Sequence, residues 1–192
     1  MKTKGFTLIE LLVVIAILAI LTAAVVIVIN PAQLLAQSRD TQRLSDLQNL
    51  QSAIVLYLTT AATTPVTFTP TQRVTATTTE TPCTILTPTL NATTSVNGSG
   101  WVNINLTDSN IGAPLSVLPL DPTNTGSYFY AYCSNATSTT FQLYGRLESS
   151  KYAPKMATDG GTHNVCATPT QAVTGPNLGC MLELGTQPGL NL

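Results

Sequence analysis

An apolar stretch near the N-terminus constrains this chain more than any other feature. From Leu11 to Ile29 the only polar residue is Thr22. As an α-helix the stretch would be about 28 Å long, which matches the hydrocarbon core of a bilayer. A cleaved secretory signal has a shorter apolar region of about 7 to 15 residues, followed by a small-x-small site. The best such site ends at Ala24, inside the run, so the sequence favours a membrane-spanning helix over a cleaved signal.

One acidic residue, Glu10, stands immediately before this stretch. A carboxylate close to hydrocarbon costs about 2 to 3 kcal/mol, so such a residue usually has a partner. Glu10 can also lie at the level of the lipid headgroups, where the cost is small and no partner is needed. Taken by itself, Glu10 leaves both interpretations open.

The residues around Glu10 resemble a known motif. The run GFTLIELL from Gly5 to Leu12 resembles the processing motif of type IV prepilins and of the pseudopilins of type II secretion systems. The resemblance implies that a membrane peptidase cuts after Gly5 and N-methylates Phe6. It also implies that residues 1–5 are a basic leader, which is removed while the apolar stretch remains as an anchor. Glycine leaves the scissile peptide bond without a side chain that would obstruct the peptidase.

For Glu10 the resemblance implies a specific partner, the amine of Phe6 on the adjacent subunit of a filament. An unpaired buried carboxylate is strongly penalised whereas a paired one is tolerated, so this acid would set the register of docking. The implied partners are other pilins in a homo- or hetero-polymer, a prepilin peptidase and methyltransferase, and an inner-membrane assembly platform. The implied precursor spans the cytoplasmic membrane once with its head outside, and later enters an extracellular pilus or a periplasmic pseudopilus.

The helix is predicted to continue through residues 31–58 as an amphipathic segment packed on a globular head. Its apolar positions are Leu35, Leu44, Leu47, Leu50, Ile54, Tyr57 and Leu58. Pro31 removes a backbone donor and predicts a kink or a local break. Asp40, Arg43 and Asp46 are opposite charges spaced three residues apart, and we expect them on the solvent-exposed face.

A threonine-rich segment, residues 59–95, follows the helix. It contains four scattered prolines, which exclude a long helix. Dense threonine suits an extended chain, and it also suits a surface that carries O-linked sugar. We interpret the segment as a variable, solvent-facing loop in which short strands are possible.

Strand patterns occupy about residues 100–150. They predict an antiparallel sheet with strands at Trp101–Leu106, Ser127–Cys133 and Thr139–Glu148, and Trp101 is a candidate for its core. Alternation places Tyr128, Tyr130 and Tyr132 on one face of the second strand and Phe129, Ala131 and Cys133 on the other, while Phe141, Leu143, Gly145 and Leu147 share a face of the third. With the long helix packed on this sheet, the fold class is α+β. Residues 59–192 would form one head, the layout that the resemblance also implies for a pilin.

Four cysteines, Cys83, Cys133, Cys166 and Cys180, allow three disulfide pairings. An exported head lies in a compartment where disulfides persist. The preferred set is Cys83 with Cys133, which ties the threonine-rich segment to the sheet, and Cys166 with Cys180. The spacings contain no C-x-x-C pair, so a zinc site is not indicated.

Catalytic signatures are missing from the sequence. The only histidine, His163, lies in a glycine-rich turn, and there is no nucleophile elbow, phosphate-binding loop or paired-carboxylate motif. We therefore expect a chain that is not an enzyme and has no cofactor. Some secretion pseudopilins hold calcium in a C-terminal acidic loop, to which Asp121 or Asp159 could contribute here, although calcium requires six to eight oxygen ligands.

Charge gives no indication of nucleic-acid binding. The formal net charge is -1, and loss of the two leader lysines would make the chain more negative. Arg146, Lys151 and Lys155 form a local basic group, which we expect to be a solvated edge.

Together these patterns predict a structural subunit that polymerises through its N-terminal helix into a type IV pilus or a secretion pseudopilus. Adhesion, motility, secretion and DNA uptake stay open as roles, as does the choice between major pilin, minor pilin and pseudopilin. One alternative is a single-span surface-anchored binding protein that does not polymerise. Another is a secreted protein cleaved after Ala24, which would need a catalytic constellation that the sequence lacks.

Overall fold

The computed structural model describes residues 5–61, 68–78, 82–83, 87–110, 112–135, 140–161 and 180–186. The chain divides into two compact units, Met1–Ala36 and Gln37–Leu192. The described elements are an apolar helix, a second helix, a five-stranded sheet and a short 3-10 helix, Ala153–Ala157. The α+β fold class predicted from the sequence is confirmed.

Helix α1, Leu8–Ile29, makes up most of the first unit. Thr7 caps its N-terminus. The span Leu8–Val26 is long and apolar enough to cross a membrane, and none of it is buried within the chain. The helix ends at Asn30, whose backbone is left-handed (φ 46°), a conformation that asparagine tolerates better than most residues.

Helix α2, Pro31–Thr60, begins directly after this break. The predicted interruption at Pro31 is therefore present, and the proline is the first residue of the new helix. Proline suits that position because its missing N–H would have no partner within the helix. From Gln37 onward α2 belongs to the second unit. Its buried apolar stripe there includes Leu47, Leu50, Ile54 and Tyr57.

The sheet has the strand order β2-β1-β3-β4-β5. The strands are β1 (Thr71–Val74), β2 (Thr89–Leu90), β3 (Ala131–Ser134), β4 (Phe141–Gly145) and β5 (Leu182–Gly185). Strands β1 and β2 pair in parallel, whereas β1, β3, β4 and β5 pair antiparallel. The predicted antiparallel pairing is present between β3 and β4, and the sheet as a whole is mixed because β2 pairs in parallel with β1. The threonine-rich segment supplies two of the five strands.

The predicted strand Trp101–Leu106 is absent, although its apolar side chains are buried. Trp101, Val102, Ile104 and Leu106 all lie in the core. Their backbone forms no hydrogen-bonded strand pairing with the sheet. Instead, the Trp101 N–H donates to the Thr93 carbonyl and the Leu106 N–H donates to the Val96 carbonyl, both in the preceding loop. An apolar run can therefore be buried without pairing as a strand.

The sheet buries apolar side chains on both faces. Tyr130 and Tyr132 lie in one cluster with the α2 stripe, whereas Phe129, Ala131 and Cys133 lie in a second cluster. The alternation predicted for these residues is confirmed. Strand β4 approaches α2 closely at Gly145, where a Cβ would lie 2.8 Å from Leu47 Cδ1.

Candidate processing motif and ion-pair cluster

The residues that precede α1 are exposed and non-helical. Gly5, Phe6 and Thr7 lie outside the helix, and the Phe6 side chain is 79% exposed. A Cβ added at Gly5 would meet no atom within 4 Å. The peptide bond between Gly5 and Phe6 is therefore accessible within this unit.

Glu10 forms a reciprocal capping box with Thr7. Glu10 Oε2 accepts hydrogen bonds from the Thr7 N–H at 2.9 Å and from Thr7 Oγ1 at 2.6 Å. In return, Thr7 Oγ1 accepts from the Glu10 N–H at 3.3 Å. A carboxylate at this position also interacts favourably with the positive end of the helix dipole. Glu10 thus has a partner within its own chain, in addition to the intermolecular partner that the resemblance implies.

Residues 1–26 match the family model described as the prokaryotic N-terminal methylation motif. The chain carries the prepilin motif of type IV pilins and pseudopilins. Neither the curated proteins nor the solved structures contain a match to this chain. The prepilin motif covers the cleavage and methylation residues predicted at Gly5 and Phe6, Glu10, and most of α1.

The second unit contains a buried ion-pair cluster, in contrast to the exposed pair predicted from the sequence. Asp40 and Arg43 were expected on the solvent-exposed face of the helix, but both side chains have no exposed surface. The sequence does hold a signal for this. Position 43 precedes Leu47 by four residues and Leu50 by seven, so Arg43 lies on the buried stripe of α2.

Arg43 is the centre of the cluster. Its Nε and Nη2 donate to the two carboxylate oxygens of Asp121 at 2.7 and 3.0 Å. Its Nη1 donates to Asp40 at 2.9 Å and to Glu148 at 2.7 Å. Its guanidinium also lies over the Tyr128 ring, 4.9 Å from the centroid. One buried cation therefore joins α2 to the segments that precede β3 and follow β4.

The remaining contacts of the cluster satisfy its carboxylates. Asp40 accepts from the N–H groups of Glu148 and Ser149 and from Ser149 Oγ. Glu148 is also bound by Arg39, whose side chain is 35% exposed. We call Arg39, Asp40, Arg43, Asp121 and Glu148 the Arg43 cluster. Because every carboxylate in it is bound by an arginine, the arrangement suits a structural link better than acid–base chemistry.

Two carboxyl groups of the Arg43 cluster have lowered pKa values. Hydrogen bonds from Arg39 and Arg43 lower the pKa of Glu148. Burial would raise the pKa of Asp121, but hydrogen bonds from Arg43 and Thr123 outweigh it and hold that pKa below its ordinary value. Both groups therefore favour the charged form in the folded chain.

The lowered pKa values of Asp121 and Glu148 predict that acid destabilises the folded head. A carboxyl group whose pKa is lowered by folding stabilises the fold above its unfolded pKa, and that contribution disappears as the pH falls through the folded pKa. We expect the free energy of unfolding of the detergent-solubilised chain to fall as the pH drops below about 4. Burial raises the pKa of Asp46 and of Asp159, which act in the opposite direction. Denaturant titrations followed by Trp101 fluorescence measure the net effect, and a stability that is constant or rises between about pH 5 and 2.5 would contradict it.

The two calcium candidates have other contacts. Asp121 binds Arg43, as described above. Asp159 accepts from the N–H groups of Gly161 and Glu183 at 2.9 and 2.7 Å. Among the described residues there is no group of three or more acidic, histidine or cysteine side chains placed to hold a metal ion. Calcium binding at Asp121 or Asp159 stays a prediction without support from these contacts.

The cysteines and the histidine are only partly described. Cys83 and Cys133 are joined by a disulfide, the pairing that the sequence favoured. Cys180 is disulfide-bonded as well, while its predicted partner Cys166 lies outside the described residues. His163 also lies outside them.

The predicted basic group separates in the structure. Arg146 is buried, and its guanidinium donates to the carbonyls of Cys180 and Ser127. Lys151 and Lys155 remain exposed. The expectation of a solvated edge is therefore wrong for Arg146.

Proposed function

We propose that the chain is a structural subunit of a type IV pilus or of a type II secretion-like pseudopilus. In this proposal it is cut after Gly5, N-methylated at Phe6 and polymerised through α1. The observation that carries the proposal is a fully exposed apolar helix that begins within the matched motif. Such a surface must be covered, first by lipid and then by the helices of other copies.

The chemistry of the cut chain supports this assembly. Cleavage after Gly5 creates a positive amine at Phe6, four residues before Glu10. Phe6, Ile9, Val13 and Val14 border Glu10 on one side of α1. An amine from a neighbouring copy would neutralise the carboxylate among these apolar side chains. The partners would be other pilins, a prepilin peptidase and methyltransferase, and an inner-membrane assembly platform, and the head would end in an extracellular pilus or a periplasmic pseudopilus.

One observation favours a second candidate, a single-span surface-anchored binding protein that does not polymerise. The capping box gives Glu10 a role within its own chain, at the N-terminus of α1. A carboxylate that only caps a helix needs no partner subunit. The two candidates therefore differ in what Glu10 contacts in the native material.

The first experiment is mass spectrometry of the chain from native membranes and from sheared surface material. The proposal expects N-methylated Phe6 as the first residue in both fractions. A chain that starts at Val25 would establish a secreted protein instead. A chain that retains Met1 in the sheared fraction would contradict processing.

Replacing Gly5 should block processing. We expect Gly5→Val and Gly5→Arg to leave the chain at full length in the membrane, because a side chain at this position obstructs the scissile bond. The control is Lys4→Gln, which changes the adjacent residue and should still be cut. Intact-mass measurement distinguishes the products, and normal cleavage of both Gly5 variants would refute the assigned site.

A further inference from the structure

The described part of the second unit exposes only three charged side chains, those of Asp108, Lys151 and Lys155. The other charged residues there are buried or half-buried. None of the three exposed residues belongs to an ion pair within the described residues. In the described part of this unit, fully exposed charge is therefore limited to these three positions.

The two lysines form one basic patch around Tyr152. Lys151 Nζ and Lys155 Nζ lie 5.1 and 5.5 Å from the centroid of the same Tyr152 ring. The Tyr152 hydroxyl lies 3.5 Å from Thr41 Oγ1. The basic patch, Lys151, Tyr152 and Lys155, is thus placed beside the early part of α2. Two ammonium groups share one ring there, and neither forms an ion pair with a carboxylate of the described residues.

Asp108 lies at the other end of the same helix. The N–H of Asn110 donates to the carbonyl of Thr60 at 3.2 Å, and Ser109 forms a β-bridge with Ala61. Thr41 and Thr60 are about 28 Å apart along a helix that rises about 1.5 Å per residue. The acidic and basic surfaces therefore lie too far apart to meet within one chain.

None of the fully exposed residues of the helix between the two ends is charged, and the one acid there, Asp46, is half-buried. The exposed residues of α2 in this unit are Ser38, Thr41, Gln42, Ser45, Gln48, Asn49, Ser52, Val55, Leu56 and Thr59. Soluble globular domains contain about 25% charged residues, whereas this chain contains 9%. The fully exposed charges of the described head thus lie at the two ends of this helix surface, with opposite signs.

We propose that Asp108 of one copy contacts the basic patch of a second copy, in a head-to-tail contact. This inference rests on the proposed polymer and identifies an electrostatic contact between its heads. A contact between two different surfaces of the same molecule is heterologous, and it generates a filament when the rotation does not close a ring. Opposite charges also orient copies before they touch, so the contact would select direction and register.

Zero-length cross-linking tests this contact directly. A carbodiimide joins a carboxylate to an amine only when the two groups touch. Lys151 and Lys155 are the only lysines left after the leader is removed. We expect peptides that join Asp108 to Lys151 or Lys155 in sheared filaments. The detergent-solubilised, unassembled chain should not yield them, because the two ends are distant within one copy.

Charge reversal is the second test of this contact. We expect Lys151→Glu with Lys155→Glu, and separately Asp108→Lys, to lower the yield of sheared filaments about tenfold, because attraction becomes repulsion. Combining all three changes should restore the yield, which damage to folding would not permit. Ala92→Lys is the control, since it adds a charge at an exposed position outside both ends.

The outcomes separate this contact from the proposed function. If the native chain forms no polymer, the proposed function fails and the contact fails with it. If filaments form without the Asp108 cross-link, or if the reversed variants assemble normally, the head-to-tail contact is wrong and the proposed function stands. Failure of the triple variant to recover would also refute the pairing.

Discussion

Replacing Arg43 with methionine should lower the free energy of unfolding by about 3 to 5 kcal/mol. Methionine keeps much of the length and apolar character of the side chain but removes the charge that three carboxylates share. Asp40 and Asp121 would stay buried without a cation, and that penalty exceeds the loss of any single hydrogen bond. Denaturant titration of the processed chain in detergent, followed by the fluorescence of the buried Trp101, measures the change.

Arg39→Met is the matched control for this experiment. Arg39 is partly exposed, and its partner Glu148 would still be bound by Arg43. We expect a loss of about 1 kcal/mol or less. Asp121→Asn combined with Arg43→Met should recover part of the larger loss, because one buried charge is removed with the other. Equally small decreases in the free energy of unfolding for Arg43→Met and Arg39→Met would show that the Arg43 cluster contributes little to stability.

Glu10→Val should abolish assembly and leave processing and membrane insertion intact. The substitution removes the only charged group described in α1, and in the proposed polymer that group pairs with the amine of Phe6. We expect N-methylated Phe6 in the membrane fraction and none of the chain in sheared material. Normal filaments from this variant would refute a role for Glu10 in assembly.

Two further variants separate the charge of Glu10 from its capping role. Glu10→Gln keeps a side chain that can complete the capping box but removes the charge. Thr7→Val removes the hydroxyl that contacts Glu10 and keeps the carboxylate. If pairing with the amine sets assembly, Glu10→Gln should fail and Thr7→Val should assemble. The reverse result would assign the effect to the helix cap.

The features that the sequence predicted correctly depend on residues close together in the chain. The processing motif occupies one short run from Gly5, and the buried stripe of α2 repeats at helical spacing. Alternation between Tyr130 and Ala131 likewise needs only neighbouring positions. Each of these patterns reports on one element and its nearest surroundings.

The errors arose where the decisive contact joins distant residues. Arg43 and Asp40 form a pair three residues apart that resembles a surface pair, and only Asp121 and Glu148, far along the chain, explain its burial. Short strands were possible in the threonine-rich segment, but β1 could not be located there because strand pairing depends on a partner, and its partner β3 begins at Ala131. The prediction of a strand at Trp101–Leu106 was wrong for the same reason, since apolar residues alone do not identify a strand.

The disulfide between Cys83 and Cys133 has a consequence for the order of events in the life of the chain. It joins the threonine-rich segment to the middle strand of the sheet. Thiols stay reduced in the cytoplasm, so this bond can close only in an oxidising compartment. For a head that is exported as proposed, the newly made precursor lacks this bond, and the bond forms only after the head has crossed the membrane. The oxidation state of Cys83 and Cys133 would then indicate where each molecule is. Free thiols are expected in chains still in the cytoplasm, and the disulfide in chains that have left it.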